Sequence, residues 1–118
     1  MAVILLVDDE RSVVKLVSTV LGSLGHQVLT AANGLEGLAI FRSYAGLIDL
    51  VITDLQMPVL DGYELVGRIR ETNPDARIIC MSGYFNQSAP PRVTCLRKPF
   101  LLDELKGCVR EMLSNPKP

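Results

Sequence analysis

The sequence predicts an α/β fold in which five parallel strands form a doubly wound sheet with helices on both faces. Short apolar runs rich in β-branched residues alternate along the chain with segments whose apolar residues recur at helical spacing. Two of these runs, residues 3–7 and 77–81, are almost wholly apolar, which is typical of strands buried on both faces of a parallel sheet. Right-handed crossovers between such strands place the connecting helices on both sides of the sheet.

The strands are predicted from the apolar runs, at residues 3–7, 27–31, 50–53, 77–81 and 93–96. Between the first two strands, apolar residues repeat at helical spacing from Val13 to Leu24. Gly25 follows them directly, and glycine is the residue that most often terminates a helix. The first helix is therefore expected to end at Gly25.

Three more helices are predicted between and after the remaining strands. The second follows Gly34, and the third begins at Asp61, which can cap a helix that carries Glu64 three residues later. The third helix should end before Pro74, because proline cannot continue a helix. The last helix is expected over residues 102–113, where apolar residues again share one face.

Size and charge favour one globular domain and argue against several functional classes. The 118 residues, 48% of them hydrophobic, suit a single domain over residues 1–118, with 115–118 as a tail or the start of a linker. A formal net charge of −1 without a basic block argues against direct nucleic-acid binding. With neither a membrane-spanning run nor a signal-peptide pattern, a cytoplasmic location without membrane contact is expected. The three cysteines lack metal-binding spacing and are expected to be reduced and mostly buried.

Polar residues follow four of the predicted strands at the point where each strand ends. They are Asp8 and Asp9 after the first strand, Asp54 after the third, Ser82-Gly83 after the fourth and Lys98-Pro99 after the fifth. In an open α/β sheet, ligands bind at the carboxyl ends of the strands. Three carboxylates, a hydroxyl and an ammonium group are therefore expected to converge there.

This set of side chains favours a hard divalent cation and a phosphoryl group. Clustered carboxylates repel one another unless they are protonated or neutralised. Mg²⁺ prefers one or two carboxylates, water and phosphate oxygens, and Mn²⁺ would serve in the same way. A phosphoryl group on Asp54 would find the cation, the Lys98 ammonium and the Ser82 hydroxyl around it. A carboxylate nucleophile that forms an acyl phosphate is established chemistry.

The segments that carry these residues resemble the receiver domains of two-component response regulators over essentially the whole chain. The matching segments are Val7-Asp8-Asp9-Glu10, Asp54-Leu55-Gln56-Met57-Pro58 with Asp61-Gly62, Met81-Ser82-Gly83 and Lys98-Pro99-Phe100. Each match alone is weak, whereas four of them in order at strand ends are specific. The resemblance implies a single receiver domain with the flavodoxin-like receiver fold and strand order 2-1-3-4-5.

The resemblance also implies how the acidic residues work. Asp54 would be the phosphoacceptor and would contribute its carboxylate to the metal. Asp9 would bind Mg²⁺ directly, and Asp8 would act mainly through a metal-bound water. The backbone carbonyl of Gln56 would be a further metal ligand.

The remaining implied residues surround the phosphoryl group. Ser82 and Lys98 would contact its oxygens, helped by the Gly83 amide, and the peptide bond between Lys98 and Pro99 would be cis. The implied function is a signalling switch that accepts a phosphoryl group from the phosphohistidine of a histidine kinase or phosphotransfer domain. Such a switch regulates a partner or a linked domain, and it catalyses only its own phosphorylation and dephosphorylation.

Three features depart from the family pattern. The position three residues before Lys98 usually carries an aromatic side chain and here carries Cys95. The segment from Ser82 to Lys98 is shorter than usual and contains two consecutive prolines, so the helix between the last two strands is expected to be short, irregular or absent. Leu101 stands where a capping residue commonly begins the last helix.

The same residues argue against other classes of α/β protein. A haloacid-dehalogenase-type phosphatase requires a second aspartate two residues after its nucleophile, where this chain has Gln56. A flavodoxin-like electron carrier needs a phosphate-binding loop after the first strand, where Asp8 and Asp9 would repel the cofactor. A dinucleotide-binding domain needs a GxGxxG motif there. A receiver-like module that binds partners without phosphorylation stays open as an alternative.

Overall fold

The computed structural model describes residues 1–83 and 89–114, which contain five strands and four helices. In chain order these are β1 Val3–Val7, α1 Arg11–Ser23, β2 Gln27–Ala31, α2 Gly34–Ser43, β3 Leu50–Asp54, α3 Gly62–Thr72, β4 Ile78–Ser82, β5 Thr94–Arg97 and α4 Leu102–Ser114. The strands form one parallel sheet in the order β2-β1-β3-β4-β5. The predicted fold class and strand order are confirmed.

The polar residues at the strand ends belong to the sheet itself. Asp54 pairs with Met81, and Ser82 pairs with Arg97. The predicted third and fourth strands, 50–53 and 77–81, therefore stopped one residue too early, and the fifth begins and ends one residue later than the predicted 93–96. Because the ladder extends through Asp54 and Ser82, their backbone positions are set by paired strands rather than by loops.

Alternation along the strands divides the core between the two faces of the sheet. On β1, Leu5 and Val7 point to the face covered by α2 and α3, whereas Ile4 and Leu6 point to the face covered by α1 and α4. Both sets are fully buried. Burial of this kind contributes about 1.5–3 kcal/mol for each large apolar side chain, so the two faces supply most of the driving force for folding.

Two of the cysteines and two apolar residues at α1 are more exposed than the sequence predicts. Cys80 is buried, and burial raises the pKa of its thiol to about 12, so it packs as a neutral apolar group. Cys95 is exposed on the edge strand β5, and Cys108 is partly buried. Leu16 and Leu24, which share the helical repeat of α1, are about half exposed.

The predicted helix boundaries agree with the observed ones to within two residues, and the predicted cap of α3 is present, together with a cap of α2 that was not predicted. Asp61 Oδ1 accepts a hydrogen bond from the Glu64 N–H at 2.9 Å, and Asn33 caps α2 in the same way. α1 ends at Ser23, and Gly25 adopts a φ of 91° two residues later. At α4, Leu101 supplies no capping side chain, but its backbone N–H donates to Glu104 Oε1 at 2.9 Å.

The connection between β4 and β5 lies partly outside the described residues. The predicted short, irregular or absent helix falls mainly on residues 84–88, which the structure does not describe, and residues 89–93 are not helical. Of the helices within 1–83 and 89–114, none has both the length and the apolar character needed to cross a membrane.

Gly62 allows the loop after β3 to pass close to the strand end. A Cβ atom at this position would lie 2.2 Å from the carbonyl oxygen of Asp54 and 2.7 Å from the Cα of Leu55. Its backbone N–H donates to the Leu55 carbonyl at 3.0 Å, so the approach is held by a hydrogen bond. Only glycine fits here without moving the backbone that carries Asp54.

Replacing Gly62 by alanine is expected to destabilise the chain by about 1–3 kcal/mol, because the added methyl group overlaps backbone atoms. The matched control is Gly67→Ala in the same helix, where an added Cβ meets nothing within 4 Å. That variant should be more stable by about 0.5–1 kcal/mol, because alanine is the better helix former. Urea unfolding measures both changes, and equal effects of the two substitutions would contradict the close approach.

Candidate functional site

Three carboxylates meet one ammonium group at the carboxyl ends of β1, β3 and β5. Lys98 Nζ lies 2.9 Å from Asp8 Oδ2, 3.2 Å from Glu10 Oε1 and 3.2 Å from Asp54 Oδ2. The backbone N–H of Lys98 donates to the Ser82 carbonyl at 2.7 Å, which continues the contact between β4 and β5. Three negative charges therefore face one positive charge when all four groups are ionised.

Asp8 is the most deeply buried of these carboxylates. The residue is 1% exposed, and each of its carboxylate oxygens has a partner. Oδ1 accepts from the Glu10 N–H at 2.9 Å, while Oδ2 faces Lys98. Asp8 thereby orients both the first turn of the following loop and the ammonium group.

Asp54 is buried at the end of β3, between a cation and a second carboxylate. Its Oδ1 accepts from the Gln56 N–H at 3.2 Å, and its Oδ2 faces Lys98. Burial raises the pKa of Asp54, the Lys98 charge lowers it and the Asp8 charge raises it, and the net shift is upward. The charged form of Asp54 is therefore incompletely compensated in the folded chain.

Lys98 keeps its proton in this environment. Burial by itself lowers the pKa of its ammonium group, but the hydrogen bond and charge of Asp8, together with those of Asp54, outweigh burial and raise the pKa above its usual value. The site therefore contains a permanent positive charge beside Asp54 throughout the physiological pH range.

Ser82 presents a hydroxyl beside this cluster from the end of β4. The residue is fully buried, and its Oγ donates to Gln56 Oε1 at 2.6 Å. Gln56 is exposed and lies two residues after Asp54, to which its backbone N–H is bonded. The family resemblance implied that the backbone carbonyl of Gln56 is a metal ligand, but no pattern in the sequence indicated the contact between its side chain and Ser82.

An open cavity of about 640 Å³ gives access to the cluster. Asp9 is exposed and lines it, together with Asp54, Gln56, Gly83 and Lys98. The structure thus brings together all seven residues predicted for the site: five line the cavity, and the other two, Asp8 and Ser82, contact Lys98. The Lys98–Pro99 peptide bond is cis, as the resemblance implied.

Glu10 is the site residue that the sequence analysis missed. Carboxylate oxygens of Asp8, Glu10 and Asp54 lie within 4.8 Å of one another, a spacing that a single cation could bridge. Hard oxygen donors at this spacing suit Mg²⁺, and the excess negative charge calls for a cation in addition to Lys98. The signal for Glu10 was its place in the acidic run that directly follows β1.

The raised pKa of Asp54 has a consequence for stability in metal-free solution. A carboxyl whose pKa rises on folding stabilises the chain below its usual pKa of 3.8, and this contribution is lost as the pH rises through the folded value. Asp54→Asn carries no charge, so it is expected to raise the free energy of unfolding at about pH 7. The gain should shrink as the pH falls towards about 4.

Urea unfolding across this pH range, in a buffer that contains a metal chelator, measures the difference between Asp54→Asn and the unmodified chain. Glu71→Gln is the control, because Glu71 is an exposed carboxylate on α3, away from the site. It should change stability little at any pH. An Asp54→Asn variant that is less stable than the unmodified chain at neutral pH would contradict the inferred charge imbalance.

Comparison with known proteins places these observations in a family. Residues 4–110 match the model of the response regulator receiver domain. The chain is 39% identical to the sensor kinase CckA of Brucella abortus over 97% of its own length and 13% of that protein. It is 32% identical to sporulation initiation phosphotransferase F of Bacillus subtilis, over 93% of this chain and 92% of that one. It therefore spans a small part of the kinase and nearly all of the phosphotransferase.

Solved structures show the same relationship. The receiver domain of the hybrid histidine kinase CckA superposes with a TM-score of 0.86 at 36% identity, covering 96% of this chain and 100% of that one. The response regulator TrrA of Thermotoga maritima, solved in complex with Mg²⁺ and beryllofluoride, superposes with a TM-score of 0.80 at 36% identity, covering 96% of this chain and 100% of TrrA. With the fold, the acidic pocket and the family match in agreement, the chain belongs to the response regulator receiver domains.

Proposed function

We propose that this chain is a phosphorylation-dependent switch of a two-component system and that Asp54 accepts the phosphoryl group. The observation that carries the proposal is the position of the Asp54 carboxylate, buried at a strand end, with Lys98 Nζ at 3.2 Å and an open cavity in front of it. A nucleophile next to a fixed cation is the arrangement that phosphoryl transfer to a carboxylate requires.

The reaction is a direct displacement at phosphorus. A carboxylate oxygen of Asp54 forms a bond to the phosphorus of a phosphohistidine, and the bond between phosphorus and the imidazole nitrogen breaks, with its electron pair leaving on the imidazole. Lys98, Ser82 and the Gly83 amide would contact the phosphoryl oxygens, with Lys98 supplying the compensating charge.

The proposal includes Mg²⁺, or Mn²⁺ in its place, held by Asp8, Asp9, Asp54 and the backbone carbonyl of Gln56. When bound, the ion neutralises charge on the phosphoryl oxygens. The short distances among the carboxylate oxygens of Asp8, Glu10 and Asp54 support a cation at this place, and the solved complex of TrrA with Mg²⁺ and beryllofluoride supports the choice of ion. Asp9 and the Gln56 carbonyl are assigned as ligands from the family resemblance alone. Glu10, which contacts Lys98 in the same cluster, adds a carboxylate that would favour a cation further.

The proposed donor is the phosphohistidine of a histidine kinase or of a phosphotransfer domain. TrrA, which is 37% identical to this chain in a second structure with a TM-score of 0.83, was crystallised in complex with the histidine kinase ThkA. The receiver would then regulate a partner or linked domain in the cytoplasm, without binding nucleic acid or membrane itself. It would catalyse only its own phosphorylation and dephosphorylation.

Incubation with Mg²⁺ and a small phosphodonor is expected to add one phosphoryl group to Asp54. Among the carboxylates of residues 1–83 and 89–114, only this one combines burial at a strand end with access to the cavity. Intact-mass measurement detects the addition, and Asp54→Asn should remain unmodified. Asp103→Asn, on the exposed side of α4, should react like the unmodified chain. A chain that never gains the group would favour the alternative of a module that binds partners without phosphorylation.

Metal binding should depend on the two adjacent aspartates to different degrees. Asp9→Asn is expected to weaken Mg²⁺ binding about 100-fold and Asp8→Asn about 10-fold, because the first loses a direct ligand and the second a water-mediated one. Titration calorimetry measures both, with Asp103→Asn as the control. If the double variant Asp8→Asn/Asp9→Asn bound Mg²⁺ as well as the unmodified chain, the acidic pair would not belong to a metal site.

A further inference from the structure

We propose that Gln56 is a positioning residue that holds the Ser82 hydroxyl in the unphosphorylated state and competes with the phosphoryl group for it. Gln56 would thereby set how readily the site takes up a phosphoryl group. The inference rests on the proposed function, in which Ser82 contacts a phosphoryl group on Asp54. It adds that Gln56 opposes this contact through its hydrogen bond with the Ser82 hydroxyl.

The geometry connects Ser82 to Gln56, which lies 26 residues earlier in the chain and two residues after Asp54. Ser82 Oγ, fully buried at the end of β4, donates to Gln56 Oε1 at 2.6 Å. The backbone N–H of the same glutamine donates to Asp54 Oδ1 at 3.2 Å. Gln56 therefore contacts the acceptor through its backbone and the hydroxyl donor through its side chain.

The competition follows from the chemistry of a hydroxyl group. Serine has one hydroxyl hydrogen, and phosphoryl oxygens on Asp54 offer acceptors only. While that hydrogen is donated to Gln56, the hydroxyl cannot make a full hydrogen bond to a phosphoryl oxygen. Uptake of the phosphoryl group thus requires the bond between Ser82 and Gln56 to break.

Gln56 and Ser82 gain different new hydrogen-bond partners when this bond breaks. Gln56 is exposed, so water can replace the hydroxyl at its carbonyl oxygen. The buried Ser82 gains a phosphoryl oxygen in exchange. The competing bond should therefore lower affinity by the net contribution of one ordinary hydrogen bond, a factor of about 2 to 12.

The test is a titration of the Mg²⁺-loaded chain with beryllofluoride, a phosphoryl mimic, followed by amide chemical shifts. Gln56→Met keeps the length of the side chain and removes its strong acceptor, so it should bind the mimic about 2- to 12-fold more tightly than the unmodified chain. The backbone carbonyl proposed as a metal ligand remains in place. Gln27→Met on β2 is the matched control and should bind like the unmodified chain, because Gln27 is exposed on another strand.

The same substitution made in the Ser82→Ala variant separates competition for the Ser82 hydroxyl from a general effect of replacing Gln56. In Ser82→Ala the hydroxyl is gone, so adding Gln56→Met should leave affinity for the mimic unchanged. The same gain in both backgrounds, or equal or weaker binding by Gln56→Met alone, would overturn the proposed competition while leaving the proposed function intact. If the unmodified chain neither bound the mimic nor gained a phosphoryl group on Asp54, the proposed function would fail, and the competition with it.

Discussion

The contact of Lys98 with three carboxylates is the interaction on which the site depends. Without the ammonium group, the carboxylates of Asp8, Glu10 and Asp54 would repel one another in a partly buried place. Lys98 lies 90 residues from Asp8 in the chain, and it reaches the cluster only because β5 joins the sheet through β4. The site therefore exists only when the sheet has assembled, so the electrostatic centre and the fold form together.

Stability and reactivity come from different parts of the same strands. The apolar residues of β3 and β4 bury themselves against helices on both faces, while the residues that end these strands, Asp54 and Ser82, are buried polar groups that need partners. Asp54 has partners, but burial of its carboxyl and the neighbouring Asp8 charge together outweigh the Lys98 charge and raise its pKa. The burial of apolar side chains on both faces of the sheet offsets the unfavourable free energy of the buried Asp54 carboxylate. The excess negative charge there favours a cation at the site.

The fold could be predicted from the sequence because its pattern is local: apolar runs, helical repeats and caps such as Asp61 all act over a few residues. The strand boundaries were harder to predict, since Asp54 and Ser82 are polar yet pair in the ladder. That Asp8, Asp54 and Lys98 lie close together could be predicted because parallel strands bring their carboxyl ends together. The contacts of Glu10 with Lys98 and of the Gln56 side chain with Ser82 could not, because they depend on side-chain directions across loops separated by up to 88 residues.

The connection between β4 and β5 begins directly after Ser82. The far end of this connection, at Pro91 and Arg92, is bonded to α3. The Arg70 guanidinium donates to the carbonyls of Pro91 and Arg92, and these bonds would have to yield before residues 89–92 could move. A change at the site can be communicated only if it alters contacts that differ between two arrangements of the chain, and the bonds from Arg70 hold residues 91 and 92 in the arrangement seen here.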